Sequence, residues 1–456
     1  MTLFNAGENR AVRSWLAATK VYFDRRVITV LLLGFSSGLP LLLVFSTLSL
    51  WLKDEGISKT IIGLFALVRM PYTFKFVWAP LIDRLPVPFL GGWLGRRRAW
   101  VVVTQIALMI SILALASTSP SLTPGLTALY ALFVAFCSAS QDIVIDAYRI
   151  EILEQRQQGV GAAMIVNGYR LGLLTAGAGA ISFADFLSWS QVYVIMAAMV
   201  MVGLVTILLS AEPETARSGT DLADPEEARR FGARFPWMPH GMRSLAGWLY
   251  GAMVCPFADF MKRQGWICIL LFIMLYKLGD AYLGVMANPF YVEMGFSKQE
   301  IATVSKVFGM GATIIGGLVG GIVVFRYGIH RALLGCGILM AASNLVFAAQ
   351  AVVGHNVPML MLTIAVENLA SGMGTTAFVA YLSSLCNMAY TATQYALLSS
   401  FMAFARDVLS ASSGWLADQI EWVNFFLFSA GLALPGLILL LWMMRHMPLE
   451  EERCSS

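Results

Sequence analysis

Residues 51–61 read WLKDEGISKTI, and residues 290–300 read FYVEMGFSKQE. Aligned, they place Gly56 over Gly295 and the pair Ser58-Lys59 over Ser297-Lys298. Each stretch follows one long apolar run and precedes another, so each joins the first two runs of a larger unit. Working outward, two further echoes occur in the same order. LIDR at 81–84 with GRRRAW at 95–100 is answered by FRYGIHRAL at 325–333, and Arg170 is answered by Arg406. Three correspondences in one order imply a duplicated unit. Repeated helical halves enclosing a site near the bilayer midplane are a common build of secondary transporters.

The apolar runs supply the units. Six lie near 27–51, 60–82, 99–118, 125–148, 159–184 and 190–211, and six more near 266–290, 299–325, 331–353, 358–384, 392–418 and 422–444. Each is close to the ~20 residues that a helix needs to cross the hydrocarbon layer. The expected fold is therefore an all-α polytopic membrane protein of twelve transmembrane helices in two pseudo-symmetric six-helix halves. The expected division is a cytoplasmic N-terminal segment 1–26, an N-terminal half 27–211, a linker 212–265, a C-terminal half 266–445 and a tail 446–456.

Composition agrees. Of 456 residues, 58% are hydrophobic and 13% charged, about half the charged share of soluble domains. The chain cannot face water all round, so secreted disulfide scaffolds, collagen-like chains and disordered polymers are excluded. A net charge of +4 with no basic patch excludes a nucleic-acid binder. Four of the six cysteines (Cys137, Cys268, Cys336, Cys386) lie in apolar runs and two (Cys255, Cys454) flank them. With no CxxC pair, they read as packing residues, not disulfides or metal ligands. The first 26 residues lack an apolar h-region, so no cleavable signal peptide is expected.

Orientation follows from the cations. Outside the runs, 22 Lys and Arg fall on the side of both termini and the linker, against Lys53, Lys59 and Lys298 on the other. By the positive-inside rule the termini and linker are expected in the cytoplasm. Within the linker, Leu245, Trp248, Leu249 and Met253 have helical spacing. This suggests a short amphipathic helix from about Ser244 to Lys262 on the membrane face.

Away from the first and last residues at the run ends, eleven charges fall in the body of the runs: Arg69, Lys75, Arg170, Lys277, Lys306 and Arg406 against Asp142, Asp146, Asp280, Glu367 and Asp407. Each costs roughly 2.5 to 3.5 kcal/mol at a helix centre even on the lenient insertion scale. They must pair with one another or line an aqueous cavity, and part of them are expected in static ion pairs near the cytoplasmic helix ends. Asp142 and Asp146 are four apart and share a helix face, as do Lys277 and Asp280. Asp146 lies near the cytoplasmic end and is assigned, with Asp83, Arg96, Arg97 and Arg98, to a cytoplasmic gate. Asp142, one turn deeper, and Glu367, midway along the tenth run, are the leading proton carriers. The cations Arg69, Lys75, Arg170, Lys277, Lys306 and Arg406, with Asp280, are candidates for a cavity that attracts anions. A guanidinium there can hold a carboxylate bidentately.

Glycines and prolines are placed for close packing and bending. Gly309, Gly311, Gly316, Gly317, Gly320 and Gly321 fall along the eighth run with two GxxxG spacings, which favour close helix contact. Pro40, Pro71 and Pro80 interrupt the first two runs and imply kinks. The four histidines are scattered without an HxxxH pair, and nothing suggests an enzyme.

The LIDR and GRRR loop resembles that of the major facilitator superfamily, stretched here by LPVPFLGGWL. More narrowly, FKFVWAPLIDR (74–84), FCSASQDIVIDAYR (136–149), GYRLG (168–172), YKLGDA (276–281), ENLASGMGTTAFVAYLSSLCN (367–387) and ATQYALLSS (392–400) resemble the AmpG muropeptide permeases. The SQDI-x-x-DA segment is also similar to the acetyl-coenzyme A transporters. The resemblance implies a permease of the bacterial inner membrane, and a monomer is expected. It implies import of GlcNAc–1,6-anhydro-MurNAc and its peptide-bearing forms, driven by the proton gradient with no other cofactor. A part in cell-wall recycling and in β-lactamase induction follows from it. Such a substrate offers carboxylates to the cations, and hydroxyls and acetamides to Gln141, Asn167, Asn288, Asn368 and Asn387. Rival readings are a transporter of another anionic conjugate, such as acetyl-coenzyme A or a siderophore, and a non-transporting membrane sensor of wall fragments.

Overall fold

The computed structural model describes residues 18–214, 230–231, 237 and 239–447. Parts of the N-terminal segment, the linker and the tail lie outside the described residues. Among the described residues every regular element is helical. Ten helices are long and apolar enough to cross a membrane: α1 (Arg25–Asp54), α2 (Lys59–Val77), α3 (Arg96–Ala116), α4 (Pro124–Ile152), α6 (Trp189–Leu209), α7 (Trp266–Glu293), α8 (Lys298–Tyr327), α9 (Ile329–Val353), α10 (Val357–Ser384) and α12 (Trp422–His446). Two more, α5 (Gln158–Leu174) and α11 (Thr391–Ser410), take the fifth and eleventh places. Asn167 and Arg170 on α5, and Gln394, Arg406 and Asp407 on α11, dilute their apolar character. The linker contributes helices His240–Met253 and Cys255–Met261.

The duplication read from sequence is visible in the backbone. Gly56 and Gly295 have φ of 76° and 84°, a left-handed turn that glycine adopts without strain. Ser58 and Ser297 then cap the next helix, each accepting from the backbone N–H three residues on. Gly95 and Gly328 enter α3 and α9 with φ of 88° and 80°. Side chains repeat as well. The Trp189 indole donates to Asp54 at 3.1 Å in one half, and the Trp422 indole donates to Glu293 at 2.7 Å in the other. The neighbouring Trp51 and Phe290, paired in the alignment, pack against those same two indoles at 6.4 and 5.3 Å.

Helix α1 crosses α5 closely because small residues remove the obstruction. A Cβ on Gly34 or Gly38 would strike the carbonyls of Ile165 and Tyr169, and one on Gly168 or Gly172 the carbonyls of Leu31 and Phe35. On α8 the glycines serve two neighbours. Gly316 and Gly320 lie against the α10 backbone at Leu369 and Met373, whereas Gly317 and Gly321 face Asn167 and Ala163 of α5. Proline shapes the first two helices. The α1 helix breaks at Val44–Phe45, four residues beyond Pro40, and α2 is a chain of short α and 3-10 pieces around Pro71 that Ala79–Arg84 continues.

The apolar clusters show how the halves meet. At the end carrying Gly56 and Gly295, one cluster is built from Leu39 to Val200 and another from Leu283 to Phe426, each from a single half. At the end carrying the linker the clusters mix. Ile150 and Ala162 join residues of α7, α9 and α10, and Ala392 and Ala396 of α11 join the core around Val27, Ile143 and Val144. The halves are therefore closed on the linker side and packed separately on the other.

Replacing Gly168 by Val should force α1 from α5 and cost on the order of 1–3 kcal/mol. Gly311→Ala, with open space around its Cβ, should be tolerated. Thermal midpoints of the two variants in detergent, read by size-exclusion, check this. Equal midpoints would mean that the close crossing carries no stability.

Candidate functional site: a closed linker end and two buried charge clusters

At the linker end, Arg97 is wholly buried. Its guanidinium donates to Asp83 Oδ1 at 2.7 Å and to both oxygens of Glu151, from Nε at 3.1 and 3.0 Å. Asp83 Oδ2 accepts from the Thr393 amide at 3.1 Å and from its hydroxyl at 3.0 Å. Thr393 lies in the first turn of α11, where backbone N–H groups have no partner within the helix and the dipole favours an anion. One carboxylate thus ties a buried arginine of the N-terminal half to a helix start of the C-terminal half.

The surrounding charges complete the helix ends. Glu212 accepts from the first amides of α3, Arg97 N at 2.8 Å and Arg98 N at 3.0 Å. Arg98 and Arg25 donate to the last carbonyls of α6, at Ile207, Leu208 and Leu209. Arg96 donates to the Asp83 carbonyl at 2.6 Å. Asp146 does not meet these arginines. It is one turn deeper and pairs with Arg149 at 3.8 Å. Arg149 in turn donates to Ser383 of α10 at 2.9 Å and stands 5.3 Å from the Tyr395 ring of α11.

Sequence reasoning missed Glu151, Glu212, Arg149 and Thr393. The fourth run was ended at residue 148, which leaves Arg149 and Glu151 as solvated loop charges. The helix continues to Ile152 and buries both. The available signal is the apolar period Ile143, Ala147 and Ile150, which continues past residue 148 at helical spacing.

Further into the bundle lie two clusters. In the N-terminal half, Asp142 is buried and accepts from the Ser37 hydroxyl of α1. Lys75, also buried, on the 3-10 turn of α2, acts electrostatically on both Asp142 and Asp146. In the C-terminal half, α7 is interrupted at Lys277 and resumes at Leu278. Lys277 pairs with Asp280 at 3.3 Å and donates to Thr375 at 2.8 Å. Asp280 sits in the first turn of the resumed helix, a favourable place for an anion, and accepts from Ser371 at 3.3 Å. Glu367 accepts from Asn368 at 2.6 Å, whose oxygen accepts from Thr313 of α8 at 2.7 Å. Arg170 reaches across from α5 and feels the charges of Glu367 and Asp280, while its Nε has no hydrogen-bond partner.

The remaining candidates separate. Arg69 is exposed and lies 4.4 Å over the Phe45 ring, and Arg406 is exposed and paired with Asp407 at 2.9 Å. Lys306 lies on the π-helical stretch Ala302–Phe308 of α8, with its side chain outside the described residues. Gln141 is wholly buried within its own half, with neither amide atom bonded. Asn167 bonds the Ile314 carbonyl at 3.2 Å, tying the halves together, and Asn387 bonds Asp259 at the linker end. Asn368 is thus the expected amide that the structure joins to a charge cluster.

The Major Facilitator Superfamily family model matches residues 28–334 and 266–455. The "Anhydromuropeptide permease" of Escherichia coli K12 is 40% identical over 92% of this chain and 80% of its own length. The "Putative transporter AmpG 4" of Rickettsia felis is 37% identical over 93% and 98%. The chain belongs to this superfamily, and within it to the AmpG permeases. Solved structures agree on the fold alone. The proton:xylose symporter XylE matches with TM-score 0.64 at 14% identity over 94% of this chain and 96% of its own. FucP in the outward conformation matches with TM-score 0.64 at 12% identity over 91% and 98%. The chain is accordingly a multi-pass membrane protein whose relatives are named as transporters.

Arg97→Met should leave Asp83 and Glu151 buried without their cation and cost about 3–5 kcal/mol. Adding Glu151→Met should return part of that loss. Thermal midpoints of the single and double variants check this, and a double variant no better than the single would contradict the pairing.

Proposed function

We propose that the chain is a proton-coupled importer of GlcNAc–1,6-anhydro-MurNAc and its peptide-bearing forms, working by alternating access in the bacterial inner membrane. In this reading it is a monomer with both termini in the cytoplasm, it serves wall recycling and β-lactamase induction signalling, and the proton gradient alone drives it. The observation that carries the reading is the arrangement of two charge clusters inside a bundle closed on the linker side, one buried around Asp142 and Lys75 and one half-buried around Lys277, Asp280 and Glu367. The named anhydromuropeptide permease among the relatives supplies the substrate class.

The chemistry assigns a part to each cluster. A muropeptide entering between the halves brings carboxylates and hydroxyls. Arg170 lies opposite Glu367 and Asp280, so a substrate carboxylate competes with them for its guanidinium. Protonation of Glu367 removes one competitor and leaves Arg170 to the substrate. Asp142, held by Ser37 and Lys75, couples a second buried carboxyl to the α1–α2–α4 contact. Neutralising either carboxyl lowers the cost of moving its helix past apolar neighbours. Closing the outer side and parting Asp83 from Thr393 then delivers the substrate inward.

Asp142→Asn and Glu367→Gln should each abolish gradient-driven accumulation in vesicles while retaining exchange of labelled for unlabelled muropeptide. Wild-type accumulation in either variant would remove that residue from the coupling. Arg170→Gln should raise the KM for uptake at least about tenfold, the loss of one charge-assisted pair. Competition by unlabelled acetyl-coenzyme A tests the substrate. If it displaces the label as well as the muropeptide does, the substrate class is wrong.

A further inference from the structure

The linker that joins the halves makes a specific contact beside the closure. Its second helix, Cys255–Met261, carries Asp259, whose Oδ2 accepts from the Gln394 side-chain amide at 2.8 Å. The same amide donates to the Pro256 carbonyl at 3.1 Å, and the Gln394 carbonyl oxygen accepts from Asn387 N at 2.7 Å. Asn387 closes the ring by donating to both Asp259 oxygens at 3.4 and 3.3 Å and by capping Ala389 N. Gln394 is 1% exposed, so its amide is fully committed in a dry site. The next residue back along α11 is Thr393, which donates twice to Asp83.

Consecutive residues at the start of α11 therefore face two carboxylates. Thr393 meets Asp83 of the N-terminal half, and Gln394 meets Asp259 of the linker. A carboxylate can accept from a helix-start amide only if that amide is aimed within a narrow cone. Nothing within α11 itself partners the amides of its first turn, because the first N–H groups of a helix have no acceptor inside it, so their aim depends on what holds that turn from outside. The ring of Asp259, Gln394 and Asn387 supplies the missing restraint.

We infer that Asp259 is a positioning residue of the cytoplasmic closure: through Gln394 it holds the first turn of α11 where Thr393 can receive Asp83. The linker then acts on the transport cycle as a brace for the inward-closed state and is more than a tether between the halves. The inference rests on the transport reading for its purpose, but the contact can be tested without any substrate.

The test uses full-length protein with its own cysteines replaced, a single Cys in place of Ala396, and a membrane-impermeant maleimide applied from the cytoplasmic side. Ala396 is 1% exposed and packs into the N-terminal half, so Ala396→Cys should label slowly while the closure holds. Asp259→Ala should speed labelling at least about fivefold, the loss of one hydrogen bond to a charged group. Gln394→Met, which breaks the same contact from the other side, should do likewise, and the two together should exceed neither by much. Asp259→Asn, which keeps an acceptor for Gln394, should recover most of the protection. If Asp259→Ala does not reach the membrane, Gln394→Met carries the comparison. A purely structural role would lower the amount of protein without changing the labelling rate per molecule. Unchanged rates in both variants would overturn the inference. Because no substrate is present, loss of the muropeptide reading would leave this result intact.

Discussion

An ionised side chain placed in hydrocarbon has two destinations, a partner or water, and the bundle is organised by that restriction. Lys277 and Asp280 pair with each other where α7 is interrupted. Asp142 lies against Ser37 and within reach of Lys75. Arg170 stands opposite the acids of the other half. Arg170 keeps an Nε without a hydrogen-bond partner, and in the proposed cycle such incomplete pairing is what lets a substrate or a proton change the balance. Arg97 is the counter-example. Its two carboxylates, Asp83 and Glu151, flank it, and in the proposed cycle it belongs to the frame that stays shut while the outer side is open.

The closure on the linker side depends on little area and much geometry. Asp83 serves two masters through its two oxygens, Arg97 within its half and Thr393 beyond it. Beside the mixed apolar clusters, polar and small-residue contacts join the halves: Asn167 on the Ile314 carbonyl, Tyr22 on the Leu318 carbonyl, Arg149 on Ser383, and glycines of α8 against α5. Such contacts can be exchanged for others without leaving a large apolar surface bare. Within each half the reverse holds, with fused aromatic clusters such as Phe290, Phe347, Trp422 and Phe426. Strong packing inside the halves and sparse bonding between them suit two bodies that rock about a central site.

Much of this was legible in the sequence, and the reasons differ by feature. The duplicated turns at Gly56 and Gly295 could be read because each needs a backbone conformation that few residues supply. The buried charges could be read because an apolar run makes any charge conspicuous. What escaped notice lay at helix ends. Arg149 and Glu151 look like loop charges until α4 is seen to run about one turn beyond its apolar run, to Ile152. Thr393 and Gln394 lie in the stretch ATQYALLSS, but nothing in it marks their part, since a hydroxyl and an amide become significant only when a carboxylate from another element arrives. Gln141 and Asn167 show the converse. Both looked fit for a polar substrate, yet Gln141 is sealed within its half and Asn167 bridges the two. Sequence periodicity gives the face of a helix but not which neighbour covers it.

The central claim is that a muropeptide and a proton cross together, and the movement of the proton itself tests this most directly. Purified protein in weakly buffered proteoliposomes, with no gradient imposed, is given GlcNAc–1,6-anhydro-MurNAc-peptide on the outside, and the external pH is followed. The account requires a rise in external pH that tracks entry of the sugar, as protons are drawn in with it. Entry of the sugar with no change in external pH would contradict it.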